Sequence, residues 1–365
     1  MHPCRNLQPS PSCEDASMND TVHKQRGLTI VEALVTMVIL MIVLGGVYQI
    51  FQSVTLTYRM QAGLSRVQEN GRFALDFITR DVRQAGYRGC VSSGPLTNTL
   101  NNATDWAYDF NVGVFGYDDV GTSVSDLENL PTRAGSDVIV VRTMAGDSVQ
   151  LVQNKESANL TVEVTSDEPK ACDGAQRVSG LCEGDILLIS DCVKSRVFQI
   201  SSFQKIPAGL RIVHGVSGDP GNMPEYASWG GASAPDNERF GPDSEIMKVA
   251  TLIYHVRDNF ALYRKEGTAA AQPLVEGVET MQVLYGEDTD GDGIVNEYVV
   301  ADEVGDWERV RSIQIGLLMR TMEEIRGMDP HTKPYDVLET EFGPYNDRHI
   351  RRVFTTTIGL RNRLK

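Results

Sequence analysis

The chain has 365 residues and a formal net charge of −15, with 41% hydrophobic and 23% charged residues. These proportions are normal for a folded globular protein and exclude a largely disordered chain. The acidic balance argues against nucleic acid as a partner, because phosphate binding requires a basic surface.

The first predicted element is a long apolar helix. Residues 28–51 are almost wholly apolar, and a run of this length can cross a bilayer as a helix. Lys24 and Arg26 precede it, which predicts a cytoplasmic amino terminus and export of the remaining chain. Glu32 is the one charged residue in the run. A carboxylate inside a membrane costs about 2.5–3.5 kcal/mol on insertion scales, so we expect it to have a partner.

The helix is predicted to continue beyond the membrane. Residues 52–86 are rich in helix formers, and their apolar side chains recur at helical spacing. Gly86 is the expected carboxy-terminal cap. Gly45 and Gly46 form either a weak point that bends or unwinds, or a site of close helix packing in the membrane.

Residues 87–365 are predicted to form a large head rich in β-strands. A polar stretch to about residue 135 indicates long loops with short elements. A second loop region at 217–243 is either a boundary between two sub-domains or a long surface loop. One helix followed by strands predicts an α+β fold, with an antiparallel sheet packed on the helix. The predicted strands are 137–143, 160–165, 185–190, 197–201, 210–214, 246–256, 261–264, 278–285, 310–319 and 353–360.

Four cysteines lie beyond the apolar run, on the side where disulfides form. Cys172 and Cys182 flank a polar loop that a local bridge would close, which leaves Cys90 to pair with Cys192. Four cysteines allow three connectivities. A zinc site is the competing interpretation, but no CxxC pair or nearby histidine supplies metal-ligand spacing.

The segment DTDGDG, at 288–293, is the strongest chemical motif in the head. Its alternating acids and its glycine at the sixth position match the opening of an EF-hand calcium loop. Val299 stands where that loop has a bidentate glutamate, so another acid would have to close the site. The alternative is an acidic hairpin turn without metal. The predicted calcium ligands are Asp288, Asp290, Asp292, the Ile294 carbonyl and Asn296; the acids nearest for closure are Glu287, Glu297 and Asp302.

No catalytic constellation is evident. The six histidines are scattered, and neither a nucleophile elbow nor a phosphate-binding loop is present. We therefore predict a protein that is not an enzyme.

Gly27 followed by LTIVE resembles the class III leader of type IV pilins and secretion pseudopilins. The resemblance implies that 1–27 is a leader, which a prepilin peptidase removes by cutting between Gly27 and Leu28. The same enzyme methylates the new amino terminus. Glu32 then pairs with the terminal amine of a neighbouring subunit. An ordinary single-span anchor with a stray glutamate is the alternative.

Several stretches of the head resemble the PilW branch of minor pilins. They are FITRDVRQAGYRGC at 77–90, GDILLISDC at 184–192, LYGEDTDGDGIVNEYV at 284–299, WERVRSIQIGLLMRT at 307–321 and RRVFTTTIGLRN at 351–362.

This resemblance implies a minor pilin that primes pilus assembly and sits at or near the fibre tip. Its expected partners are the prepilin peptidase, other minor pilins, the major pilin and a tip adhesin. Its expected location is the bacterial inner membrane, with a periplasmic head that later joins the extracellular pilus. A minor pseudopilin of type II secretion is the nearest alternative. An adhesive or ligand-binding tip module is an alternative of another class.

Overall fold

The computed structural model describes residues 29–89, 94–172, 175–226, 228–231, 234–236 and 238–363. The chain divides into two compact units, Met1–Thr55 and Leu56–Lys365. The first unit contributes the apolar part of the helix. The second contains the amphipathic part of the helix and the head. The predicted sub-domain boundary at 217–243 stays a prediction.

Helix α1 runs from Ile30 to Arg83. Within the first unit its apolar side chains are exposed, and it is the one described helix long and apolar enough to cross a membrane. Gly45 and Gly46 lie inside the continuous helix, and an added Cβ at either would meet no atom within 4 Å. The prediction of a spanning helix therefore agrees with the structure in length and composition.

In the second unit, one face of α1 is buried. Val67, Ala74, Ile78 and Val82 recur at helical spacing and are 0–2% exposed. The helix ends as its sequence predicts, because Gly86 adopts a φ of 65° that other residues rarely take. Its N–H then donates to the Arg142 carbonyl in the head at 2.9 Å.

The head contains 22 strands and five short 3-10 turns among the described residues. The strands are β1 (Leu96–Asn98), β2 (Val114–Val120), β3 (Ser123–Val124), β4 (Leu130–Pro131), β5 (Ser136–Met144), β6 (Val149–Glu156), β7 (Asn159–Val162), β8 (Asp167–Cys172), β9 (Ala175–Val178), β10 (Ile186–Ser190), β11 (Ser195–Gln199), β12 (Ser202–Ile206), β13 (Gly209–Val213), β14 (Glu245–Arg257), β15 (Ala261–Glu266), β16 (Gln272–Glu276), β17 (Val278–Glu287), β18 (Glu297–Val299), β19 (Val310–Arg320), β20 (Tyr335–Val337), β21 (Thr340–Phe342) and β22 (Arg351–Gly359). The turns are Ser125–Leu127, Pro224–Tyr226, Ala301–Glu303, Trp307–Arg309 and Arg361–Arg363.

Strand β14 organises the larger, twelve-stranded sheet. Its first half pairs with β10 and β6, and its second half pairs with β5 and β15. Strands β11 and β1 extend the sheet beyond β10, while β7, β13 and β12 extend it beyond β6. Strand β2 lies beyond β5, and β16 lies beyond β15. Pairing is antiparallel except between β1 and β11.

The smaller sheet has four strands in the order β18–β17–β19–β22, all antiparallel. Every residue of β17 is buried. The main core contains the buried face of α1 together with residues of β5, β14, β17 and β19. The helix therefore packs on antiparallel sheets, as the α+β prediction states.

Every predicted strand is present, with ends shifted by a few residues. Within the stretch to about residue 135, where the sequence predicts long loops with short elements, β2 is a seven-residue strand that reads VFGYDDV. Its two acids hide an apolar strand that pairs with β5. Other strands were not predicted either, among them β6, β12 and β16, because their polar residues mask the alternation of buried and exposed positions.

Candidate functional site

Glu32 lies in the first turn of α1. Thr29 caps this turn: its hydroxyl accepts a hydrogen bond from the Glu32 N–H at 3.3 Å, and its carbonyl accepts one from the Ala33 N–H at 3.1 Å. The Glu32 side chain is exposed and belongs to no ion pair among the described residues. Gly27 and Leu28 lie outside the described residues, so the cleavage site stays a prediction.

The second half of α1 is held to the head by polar contacts as well as by the core. The Asp81 carboxylate accepts hydrogen bonds from the Tyr254 hydroxyl and from Arg264 Nε, the latter at 3.3 Å. Nearer the membrane unit in sequence, Asn70 donates its side-chain N–H to the Glu276 carbonyl at 3.1 Å. These contacts connect the helix to β14, β15 and β16.

Glycines let α1 approach the head closely. A Cβ added at Gly71 would lie 2.7 Å from the ring of Phe354 on β22, and one at Gly63 would lie 3.0 Å from Thr321 Cγ2. The smaller sheet therefore packs directly on the helix backbone at Gly71.

Cys172 and Cys182 form a disulfide that closes the β8–β9 hairpin, with their Cα atoms 5.8 Å apart. This bond leaves no thiolate at either position for the zinc alternative. Cys90 lies outside the described residues, so its pairing with Cys192 stays a prediction.

The acidic loop connects β17 to β18. Carboxylate oxygens of Asp288, Asp290 and Asp292 lie within 4.8 Å of one another, and no other described group of three or more His, Cys, Asp or Glu residues meets the same criterion. Asp288 is fully buried, whereas the other two are exposed. The three acids therefore converge, and calcium binding at this loop stays a prediction.

Backbone N–H groups fold the loop around these carboxylates. Asp288 accepts from Gly291 N at 2.7 Å and from Gly293 N at 2.9 Å. Asp292 accepts from the Ile294 N–H at 2.7 Å. The side chain of Asn296 turns back toward the loop, where its Oδ1 accepts from the Thr289 N–H at 2.7 Å. Asn296 Oδ1, the oxygen predicted to bind calcium at the ninth position of the loop, therefore stabilises the turn through this hydrogen bond.

Arg311 on β19 is a member of this site that the sequence analysis missed. Its Nε and one terminal nitrogen each lie 3.1 Å from Asp288 Oδ2. Burial acts to raise the pKa of Asp288, but the Arg311 bond and the backbone N–H donors outweigh it and lower that pKa. Three carboxylates and one guanidinium leave two negative charges, which one divalent cation would neutralise.

Glu287, one predicted closing acid, is committed elsewhere. Its carboxylate accepts the backbone N–H of Gly305 at 3.0 Å and that of Asp306 at 2.8 Å. Glu297 and Asp302 are exposed, so either remains accessible to close a metal site.

A buried carboxylate on β5, Asp137, which was not predicted from the sequence, joins the two sheets. Asp137 is 3% exposed and accepts from the Val283 N–H of β17 at 2.7 Å and from the Asp119 N–H at 3.0 Å. Burial raises the pKa of Asp137 to about 8, and the nearby Asp118 carboxylate adds to the shift.

The four histidines that the structure describes do not converge. His214 stacks on Trp229, with ring centroids 4.2 Å apart, and burial lowers the pKa of this histidine to about 3. Burial also lowers the pKa of His255 to about 3. Both rings are therefore neutral near pH 7 and belong to the packed interior.

Comparison with known protein families extends these observations. Residues 247–362 match the family model of the type IV pilus-assembly protein W, and residues 22–48 match the prokaryotic N-terminal methylation motif. No protein of curated function and no solved structure matches the chain.

The chain has the features of a type IV pilin-like protein: an apolar helix with an acid in its first turn, a methylation motif around that turn and a β-rich head. The apolar helix is consistent with anchoring in a membrane. The PilW family model, which matches from within β14 to just past β22, points to the PilW branch of these proteins. Residues 247–362 form a PilW-type domain, and together with the methylation motif this match supports a minor pilin related to the type IV pilus.

Proposed function

We propose that the protein is a non-enzymatic subunit that primes type IV pilus assembly and is incorporated at or near the fibre tip. The observation that carries this proposal is the methylation-motif match over 22–48, with the unpaired Glu32 carboxylate inside it. Prepilin peptidase would cut between Gly27 and Leu28. The helix would then hold the subunit in the inner membrane by a single span, with the head in the periplasm.

Glu32 would act when the subunit leaves the membrane for the fibre. Helices of neighbouring pilins pack there in surroundings of low dielectric, where an unpaired charge is costly. The amino terminus of a neighbouring subunit is a matching cation, and the exposed Glu32 side chain is accessible to it.

The test separates processing from incorporation. Glu32→Ala and the isosteric Glu32→Gln should both be cleaved normally and should both be depleted from sheared pili. Loss of cleavage would assign Glu32 to peptidase recognition, and normal incorporation of both variants would overturn the pairing role.

Deletion of the gene tests the pilus assignment itself. Lost surface pili with normal exoprotein secretion would support priming, through contacts with other minor pilins, the major pilin and a tip adhesin. Normal pili with exoproteins trapped in the periplasm would support the pseudopilin alternative. If neither changes, the adhesive tip module becomes the better account.

We also propose that the acidic loop binds calcium. The converging oxygens and the two uncompensated negative charges beside Arg311 support this proposal. Calorimetric titration of the full-length protein in detergent should show binding that Asp290→Asn and Asp292→Asn weaken. The exposed control Asp243→Asn should leave it unchanged. No binding at millimolar calcium would remove the site.

A further inference from the structure

The second half of α1 is basic although the protein is strongly acidic. Residues 56–83 contain five arginines, no lysine and three acids, whereas the whole chain has a net charge of −15. One of these acids, Asp81, is bound to Tyr254 and Arg264 of the head. The arginines, which we name the basic stripe, are Arg59, Arg66, Arg72, Arg80 and Arg83.

The basic stripe lies opposite the buried face of the helix. At 3.6 residues per turn, its members occupy one side of α1, and the buried Val67, Ala74 and Ile78 occupy the other. All five arginines are exposed. Arg80 pairs with Asp76 at 3.4 Å, and the other four make no ion pair with any described residue.

Aromatic side chains lie along the basic stripe. Phe73 is 50% exposed and packs edge-to-face on Phe77, with ring centroids 4.5 Å apart. Arg80 lies over the Phe77 ring at 5.9 Å. Arginine and aromatic residues are enriched in the central, energetically dominant parts of protein interfaces. This surface therefore has the composition of a protein-binding site.

The head carries a complementary surface, which we name the acidic block. Residues 287–308 contain nine acids and no basic residue. Seven of the nine are exposed, including Asp302, Glu303 and Glu308.

The two surfaces begin at opposite ends of the smaller sheet. Arg59 and Arg66 line a cleft of about 540 Å³ with Glu276 and Arg320, beside the first residue of β17. The acidic block starts at the last residue of β17, and a strand of this length spans roughly 30 Å. No ion pair among the described residues links the basic stripe to the acidic block.

We infer that the basic stripe docks the acidic block of a second copy of this chain. The inference rests on the proposed function, because it names one contact between subunits in an assembly. Joining unlike surfaces gives a head-to-tail contact between the two copies. The glutamates of the cleft, Glu276, Glu323 and Glu324, oppose an acidic partner there. Arg72 and Arg83 lie outside the cleft, make no ion pair with any described residue and provide most of the attraction.

Anionic lipid head groups are the other chemistry that a basic helix fits. However, the basic stripe extends over roughly 36 Å of helix at 1.5 Å per residue. Each head-group layer of a bilayer is only about 5–8 Å thick. A membrane surface could therefore reach only part of the stripe, whereas a folded head can cover much more of it.

Photo-crosslinking tests the docking. Full-length protein would carry photoreactive benzoylphenylalanine in place of Phe73, and half of it would be isotopically heavy. The mixture would be reconstituted in phosphatidylcholine vesicles in the presence of EDTA. Crosslinks should join light to heavy copies and map to residues 287–308. The pair Arg72→Glu and Arg83→Glu should lower the yield about tenfold, since like charges across an interface repel. The pair Asp302→Arg and Glu303→Arg in the other copy should restore it.

Arg352→Glu is the matched control, because this exposed arginine lies on β22, outside the stripe. It should not change the yield. Crosslinks to lipid alone, crosslinks within one copy alone, or a yield insensitive to the stripe variants would each overturn the inference. None of these results would bear on cleavage or on the Glu32 variants, so the proposed function is tested separately.

Discussion

Asp81, in the last turn of α1, accepts a hydrogen bond from the buried hydroxyl of Tyr254 on β14. Burial raises the pKa of Tyr254, and the Asp81 carboxylate raises it further, so the tyrosine stays neutral and donates. The same carboxylate oxygen accepts from Arg264. One acid therefore connects the helix to two strands of the larger sheet.

Removing this connection should destabilise the protein. Tyr254→Phe deletes one hydrogen bond and should lower the free energy of unfolding by about 1–2 kcal/mol. Asp81→Ala should cost more, because it leaves the buried Tyr254 hydroxyl without its acceptor and leaves Arg264 with only its ion pair to Glu266, at 3.5 Å. Chemical denaturation of the full-length protein in detergent measures both. Equal losses would mean that Asp81 acts through the tyrosine alone.

Gly71→Ala should also be destabilising. Alanine favours helix by about 1 kcal/mol over glycine. The new Cβ would lie 2.7 Å from the Phe354 ring, and overpacking of this kind costs about 1–3 kcal/mol. We expect a net loss, measured by denaturation. Gly71→Ala combined with Phe354→Leu is the matched test, because a smaller side chain should relieve the clash. If the double variant shows no relief, the contact does not limit stability.

The strand β22 is anchored by a buried ion pair. Arg351, whose side chain is fully buried, pairs with Glu279 on β17 and with Asp347 at 2.6 Å. Arg351→Met would leave Glu279 buried without its main partner, so we expect a loss of about 3–5 kcal/mol. The double variant Arg351→Met with Glu279→Met should recover part of that loss. A single variant as stable as the parent would contradict this account.

Asp137 should make stability depend on pH. Its pKa is about 8 in the folded protein but about 3.9 in an unfolded chain, so the folded state binds the extra proton. That contribution is fully present below about pH 4 and is lost as pH rises through 8. We therefore expect the free energy of unfolding to fall across this range. Asp137→Asn should flatten the dependence, and the exposed control Asp243→Asn should not. An unchanged slope in Asp137→Asn would assign the proton to another group.

The sequence predicts the fold well where its patterns are local. The apolar run of α1, its glycine cap and the apolar strands such as β14 and β17 are visible in composition and spacing. The pairing of β14 with four different strands is not visible, because partners far apart in sequence leave no local periodicity. The polar strand β6 cannot be predicted from its own residues for a related reason: it is buried by β14 and β7, its neighbours in the sheet.

The candidate site shows the same division. The alternating acids predict that Asp288, Asp290 and Asp292 converge. The part played by Arg311 depends on the register of β19 against β17, which brings residues more than twenty positions apart into contact. Asp137 resembles an ordinary first residue of an apolar strand, and its raised pKa depends on burial and on the nearby Asp118 carboxylate, which only the folded chain supplies.

The family match begins inside β14, the strand to which both parts of the larger sheet are attached. From that strand onward, the chain carries the smaller sheet, the acidic loop and the partners of Asp81. Residues 94–244 supply strands that pair with β14 on both of its sides, including β10, β6 and β5. A pilin of this design can vary the outlying strands before β14, apart from β2 and β5, whose residues belong to the core that holds the helix. Strands β14, β17 and β19 would still hold the helix in such a variant.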